Sequence, residues 1–239
     1  MAWVHVQGTG ADINVANATF AATFASTPTA GNIVIAAFYS GSIASGGTIT
    51  CSDGTNTYTP SASTPFTAGV GIGTFGLFYL KAPSGAGKTI TGTWNTTATG
   101  CIYIDEFSNT GSGIVYDKDN SGTFTNTGTT FNGLTLTPTV TGELLYALGG
   151  TDLGSLTAPT SGGTLGIWTG AAFGPETHGA DAEYVLGAST GSQAVNFTDS
   201  SSGDSSAGMI IAFKLFAGDD TYAPTFVSLP FDPTISVWQ

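Results

Sequence analysis

Five short segments recur in the same order in the two halves of this chain, about 105 to 111 residues apart. Gly31-Asn32-Ile33-Val34-Ile35-Ala36-Ala37 is answered by Gly142-Glu143-Leu144-Leu145-Tyr146-Ala147-Leu148, and Ile49-Thr50-Cys51 by Leu156-Thr157-Ala158. Phe78-Tyr79-Leu80 matches Glu183-Tyr184-Val185, and Lys88-Thr89-Ile90-Thr91 matches Ser192-Gln193-Ala194-Val195. Ala98-Thr99-Gly100-Cys101-Ile102-Tyr103-Ile104 matches Ser206-Ala207-Gly208-Met209-Ile210-Ile211-Ala212. A fixed period marks a repeated structural unit, and this one is far too long for a solenoid. The chain therefore reads as two halves of one β-domain, covering about 31–107 and 142–216.

Composition agrees. Only 8% of residues are charged, so the Glu, Lys and Arg that helices use on exposed faces are missing. Thr, Val, Ile, Phe and Tyr supply the half-buried surfaces that strands prefer. At 41% hydrophobic content the chain has material for a core, which excludes general disorder. Alternation and turn clusters place strands near 2–7, 18–25, 32–39, 47–52, 74–81, 88–94 and 100–107, then 113–117, 131–137, 143–150, 164–169, 180–187, 193–198 and 208–216. Neither half can bury its apolar face alone. Residues 1–217 are expected to form an all-β, antiparallel two-sheet sandwich of jelly-roll type.

Residues 218–239 differ. Pro224, Pro230 and Pro233 forbid helix and central strand, yet Phe226, Leu229, Phe231, Ile235, Val237 and Trp238 make the segment too apolar for a solvated end. It reads as an extended arm. It either wraps the domain's own surface or docks on a neighbouring subunit, with Phe226, Leu229, Phe231, Val237 and Trp238 as the contact residues.

Sixteen acids face four lysines (Lys81, Lys88, Lys118, Lys214) and no arginine, a net charge of −12. That balance argues against nucleic-acid binding and against anionic membrane surfaces. The acids read first as a solubilising surface. No apolar stretch is long enough to span a bilayer. Met1–Gln7 lacks a basic region followed by an apolar run, so it reads as a first strand and no secretory signal is expected. A virion setting, or an extracellular one, fits such a chain. Cys51 and Cys101 are either one disulfide or two buried thiols, and neither has partners at zinc-ligand spacing.

Gly31-Asn32-Ile33-Val34-Ile35-Ala36, Cys51-Ser52-Asp53-Gly54-Thr55-Asn56-Thr57-Tyr58-Thr59, Phe78-Tyr79 and Ile104-Asp105-Glu106-Phe107 occur in that order. With Ala182-Glu183-Tyr184 and Met209–Lys214 as closing segments, they resemble a β-sandwich domain, jelly-roll or concanavalin-like, of phage virion proteins and bacterial surface proteins. The chain departs from that pattern at Asp53-Gly54-Thr55-Asn56, where the Gly and Asn are not adjacent. The resemblance covers about residues 1–217. It implies a structural or adhesive module and carries no catalytic residues.

Several segments mimic catalytic motifs. Ala82–Thr89 nearly spells a phosphate-binding loop, but Ala82 replaces its first glycine and the alternating text after it is a strand rather than a helix. Gly187-Ala188-Ser189-Thr190-Gly191 fits a nucleophile elbow, yet a strand follows and both histidines, His5 and His178, precede Ser189. Asp105 and Glu106 are adjacent, so on a strand they face opposite ways and cannot share a glycosidic bond. Glu106 falls opposite Lys214 in the repeat, which predicts an ion pair or network near the pseudo-axis. No catalytic residue is assigned.

Two binding possibilities remain. Asp117-Lys118-Asp119-Asn120-Ser121-Gly122 resembles the front of a calcium loop, with Asp117 and Asp119 as ligands, but Gly128 stands where the bidentate acid belongs. A plain turn is the commoner reading of such a segment. Trp94, Trp168, Tyr58 and Tyr79 are candidates for a sugar-stacking platform; Trp168, beside a Gly-rich loop, and Tyr58 are assigned to it. The expectation is a non-enzymatic structural protein of a virion or extracellular assembly, of decoration, head-fibre or tail type, contacting copies of itself or other subunits. The alternative is a glycan-binding adhesin module, with calcium as its possible cofactor.

Overall fold

The computed structural model describes residues 2–41, 47–68, 72–110, 113–125, 129, 131, 133–151, 156–157, 169–170, 179–195, 197–200 and 205–215. Its first half holds β1 (Trp3–Thr23), β2 (Ile33–Ser40), β3 (Ile49–Ser52), β4 (Thr59–Pro60), β5 (Phe66–Thr67), β6 (Thr74–Lys81) and β7 (Thr89–Asn109). The second holds β8 (Ile114–Thr125), β9 (Thr135–Leu136), β10 (Glu143–Thr151), β11 (Leu156–Thr157), β12 (Thr169–Gly170), β13 (Ala180–Ala188), β14 (Gln193–Ala194), β15 (Thr198–Asp199) and β16 (Ser205–Leu215). All described pairings are antiparallel.

Each half forms its own sheet. The first runs β1-β7-β2-β6-β4, with β3 and β5 attached at its sides; the second runs β12-β13-β10-β16-β8. In both, the last long strand lies between the first and the second, and the third follows outside. The repeat read from the sequence is thus a repeat of strand order.

Packing shows why the repeated segments are so apolar. The two sheets enclose a core in which Ile33, Ile35, Ala37, Tyr39, Phe75, Leu77 and Tyr103 face Leu144, Tyr146, Leu148, Met209, Ile211 and Phe213. The outer face of each sheet is covered as well. Val34, Ala36, Phe38 and Ile104 meet Phe20, Ile49, Tyr58, Ile90 and Trp94 in a second core. Leu145, Ala147, Val185 and Ile210 meet Phe131, Leu134, Leu136, Val195 and Phe197 in a third. Every residue of β2 and β10 is buried, so the alternation expected of a half-exposed strand gives way to continuous apolar text.

The second core forms because β7 is longer than expected. Segments 88–94 and 100–107 are one strand, as are 2–7 and 18–25, and β1 pairs with β7 through irregular register steps between Ile13 and Thr19. Those bulges bend the paired strands so that their far ends, with β3, fold over the sheet. Cys51 lies in the second core and Cys101 in the first, on opposite faces of the same sheet. They are free thiols, and burial together with Asp53 pushes the Cys51 thiol well above its ordinary range.

Candidate functional site

Of the sequence-assigned residues, Trp168 and the arm residues Phe226, Leu229, Phe231, Val237 and Trp238 lie outside the described residues. Tyr58 is 2% exposed in the second core and offers no face for a sugar. Trp94 is buried in that core, edge-on to Phe20. Tyr79 stacks on Tyr116 at 5.6 Å between ring centroids. Among the described residues, Tyr58, Trp94 and Tyr79 are not brought together on a platform.

The calcium-loop segment is a strand. Lys118 to Gly122 pair residue by residue with Ala212 to Gly208, and Asp117 is the bulge residue of β8. Turn-forming side chains are overridden by a full ladder with β16. The two carboxylates have other partners. Asp117 Oδ1 accepts Lys214 Nζ at 2.6 Å and the Thr139 hydroxyl at 2.8 Å. Asp119 Oδ2 accepts the Ser63 amide, and its Oδ1 the Tyr116 hydroxyl, both at 2.6 Å. Among the described residues, no group of three or more His, Cys, Asp or Glu side chains is placed to hold a metal.

The acids are not simply a solvating surface. Asp53, Asp105, Glu106, Glu143, Asp181, Glu183 and Asp199 are buried. Buried carboxylates need donors, and the two halves supply them in corresponding places. Glu106, near the end of β7, accepts Asn32 Nδ2 and Gln7 Nε2 at 2.6 Å each and the Thr29 amide at 2.7 Å. Its counterpart Lys214, near the end of β16, pairs with Asp117. Asn32's counterpart is Glu143, which accepts the Val140 amide at 2.8 Å, as Glu106 accepts that of Thr29. The polar cluster keeps its place while the acid moves from one strand to another. Glu106 and Lys214 therefore do not pair with each other, contrary to the sequence expectation, because each is bound inside its own half. Burial works against ionisation of Asp117, but the Lys214 ammonium and the Thr139 hydroxyl outweigh it and hold the carboxyl below its ordinary range.

Asp53 explains the departure at Asp53-Gly54-Thr55-Asn56. Its Oδ1 accepts the amides of Thr55 and Asn56, and its Oδ2 accepts the Gly87 amide at 3.0 Å, tying the 53–56 turn to the 83–87 loop. Burial opposes its charge, yet the Asn56 side chain and these three amides hold the carboxyl below its ordinary value. A depressed folded value means the unfolded chain takes up the proton first as pH falls. The stabilisation is complete above the unfolded carboxyl range near pH 4 and is lost as pH drops through the lower folded values. Melting temperature between pH 6 and pH 3 is expected to fall less steeply in Asp53→Asn than in the parent; parallel curves would remove Asp53 from the acid response.

One cluster spans the two sheets and was not legible in the sequence. Asp105, buried on β7, accepts the Tyr146 hydroxyl of β10 at 2.7 Å, and His5 Nε2 of β1 lies 2.7 Å from its other oxygen. Tyr184 of β13 stacks on His5 at 5.1 Å, and Trp3 Nε1 donates to the Gly142 carbonyl at 2.9 Å. Burial and the Asp105 charge push the Tyr146 hydroxyl far above its ordinary range, so it stays a donor. The Asp105–Tyr146 bond, between positions 41 residues apart, clamps one sheet to the other, while the His5–Asp105 contact, 100 residues apart, ties neighbouring strands of the first sheet.

β1 also carries exposed apolar side chains. Val4, Val6 and Val15 of β1 are 51%, 45% and 80% exposed, three of the five large hydrophobics so exposed among the described residues. β1 ends the first sheet, and β7 is its only strand neighbour among the described residues. Sheet edges are commonly blunted by Lys, Pro or inward-facing charge. From Trp3 to Thr23 there is no Lys and no Pro, and β1 is interrupted by the register steps near His5 and between Ile13 and Thr19 and by the half-buried Asp12, its sole acid. Comparison with family models, curated proteins and solved structures found no match for the chain.

Proposed function

We propose that this chain is a structural rather than catalytic protein, a subunit of a virion or extracellular assembly that associates with neighbouring subunits through the sandwich surface and residues 218–239. The exposed valines of β1, the strand that ends the first sheet among the described residues, carry this reading, because an apolar edge strand is a template for another chain. The setting is supported by the resemblance of the 31–36, 51–59 and 104–107 segments to virion and surface-protein sandwiches. The driving force is burial of valine surface at about 25 cal/mol per Å², reduced by the cost of ordering both partners.

The test is solution mass by light scattering over a concentration series. A defined oligomer is expected from the parent chain, and a monomer of unchanged near-UV spectrum from Val4→Lys/Val6→Lys/Val15→Lys. An oligomer indifferent to all three lysines would remove β1 from the contact, and a parent that stays monomeric would remove self-association.

A further inference from the structure

We infer that Lys214 and Asp117 condense into an amide, a covalent cross-link between β16 and β8 that the folded chain makes within itself, with Glu143 carrying the protons. The inference does not depend on the assembly reading above. Three chemically matched groups meet at one hydroxyl. Lys214 Nζ lies 2.6 Å from Asp117 Oδ1 and 3.3 Å from Thr139 Oγ1. The same Thr139 hydroxyl is 2.8 Å from Asp117 Oδ1 and 3.2 Å from Glu143 Oε1. A nucleophilic amine, a carboxyl to receive it and a second carboxylate to move protons therefore share one contact point.

The strands bring them there. β16 lies between β8 and β10, so the lysine sits between the strands of the two acids. Leu144 pairs with Phe213, which sets Glu143 beside Lys214 on one side. On the other side Asp117 is the extra residue at the bulge opposite Ala212 and Phe213. A bulge re-aims a side chain, and this one delivers the carboxyl to Nζ. The Asp117 side chain is 2% exposed and Glu143 is fully buried, while Lys214 reaches partly into solvent. Asp117 Oδ2 and Glu143 Oε2 are buried without a hydrogen-bond partner among the described residues. An ion pair alone leaves two buried carboxylates against one ammonium, with two orphaned oxygens, a costly arrangement. The first half shows a purely structural version of this cluster. Glu106 stands there in the place of Lys214 and Asn32 in that of Glu143, and both Glu106 oxygens accept amide donors.

The reaction balances without an added reagent. The hydrogen bond to Asp117 holds the Lys214 ammonium above its ordinary range, so the amine needs a base within reach. One ammonium proton passes through the Thr139 hydroxyl to Glu143, which frees the Nζ lone pair. Nζ attacks Asp117 Cγ and the N–C bond forms. Glu143 returns its proton, the nitrogen gives up a second one, and the Cγ–O bond breaks. One carboxyl oxygen leaves with both protons as water. An ammonium and a carboxylate have become an amide and water, with Glu143 and Thr139 unchanged. Groups held in contact react as though at about 10⁵ M or more. The product also removes a charge pair whose carboxylate is buried. The link joins positions 97 residues apart, so it persists when the chain unfolds.

The experiment is the intact mass of the purified full-length chain, denatured so that only covalent bonds persist, with a protease digest of the same sample. The expected mass is one water below that of the sequence, and the digest should yield a branched peptide joining the segments that hold Asp117 and Lys214. Lys214→Arg keeps the positive charge and should show the full mass of its sequence. Glu143→Gln should do the same while keeping the near-UV spectrum of the parent. A folded parent at full sequence mass overturns the cross-link and leaves a plain ion pair. A loss of water that persists in Lys214→Arg also overturns it, because the water then comes from elsewhere, such as ring closure at Asp53-Gly54. A loss that persists in Glu143→Gln overturns Glu143 as the proton carrier.

Discussion

Gly100→Ala is expected to abolish the native fold, or to cost more than about 4 kcal/mol in urea denaturation, a size reserved for a few mechanisms. Gly100 lies on β7 between β1 and β2, opposite Ile13 on one side and Ser40 on the other. A Cβ there would sit 2.0 Å from the Tyr39 carbonyl oxygen and 2.9 Å from Ser40 Cα. Both are backbone atoms of the paired strand, so no side-chain rotation relieves the contact. β2 would have to move away from β7, opening the ladder between residues buried in two cores. With total stability of about 5–15 kcal/mol, such a loss leaves little folded protein. Gly208, which the repeat places in the same position, would bring a Cβ 2.7 Å from the Leu148 carbonyl oxygen, so Gly208→Ala should also destabilise, by less than Gly100→Ala. Gly122→Ala is the control, because nothing lies within 4 Å of its added Cβ. It should change stability by about 0.5 kcal/mol or less. Equal effects at 100 and 122 would mean that backbone proximity is not what holds Gly100 in place.

The matched glycines show what was legible and why. Repetition carried the architecture, since two segments ending in the same Gly-containing strand must occupy the same place in two equivalent sheets. The apolar runs at 33–39 and 143–150 were readable as strands; their burial on both faces was not, because it depends on the folded-over ends of β1 and β7 and, in the second half, on β9, β11, β14 and β15. Local chemistry misled at Asp117–Gly122. Asp, Asn, Ser and Gly favour turns when alone, but here pairing with β16 decides the conformation, and the expected 113–117 strand runs on to Thr125. Asp105 was noticed for the wrong neighbour. Adjacency drew attention to Glu106, while Asp105's real partners, His5 and Tyr146, come from other strands whose register no local pattern encodes. The length of β1 was visible in principle as a long stretch without Lys or Pro. Splitting it into two short strands hid the unbroken run from Gln7 to Ile13.

The clamp around Asp105 supplies the second large effect. Asp105→Ala should cost about 3 kcal/mol, the upper end of the range for leaving a buried polar group without its partner. The Tyr146 hydroxyl would be left in a wholly buried place without its acceptor, whereas His5, which is 20% exposed, can turn to water. Tyr146→Phe removes the donor instead and should cost about 1–3 kcal/mol, because a buried carboxyl loses one of its two close partners. The double variant decides the matter. If the two groups act through each other, Asp105→Ala/Tyr146→Phe should fall short of the summed single losses by at least about 1 kcal/mol. Additive losses would mean that the 2.7 Å contact contributes nothing of its own. Asp105 belongs to the first half and Tyr146 to the second, so the coupling term also measures the docking of one sheet on the other. A strong term with a single unfolding transition shows that the repeated halves fold as one sandwich; a weak term with two transitions shows that they unfold separately.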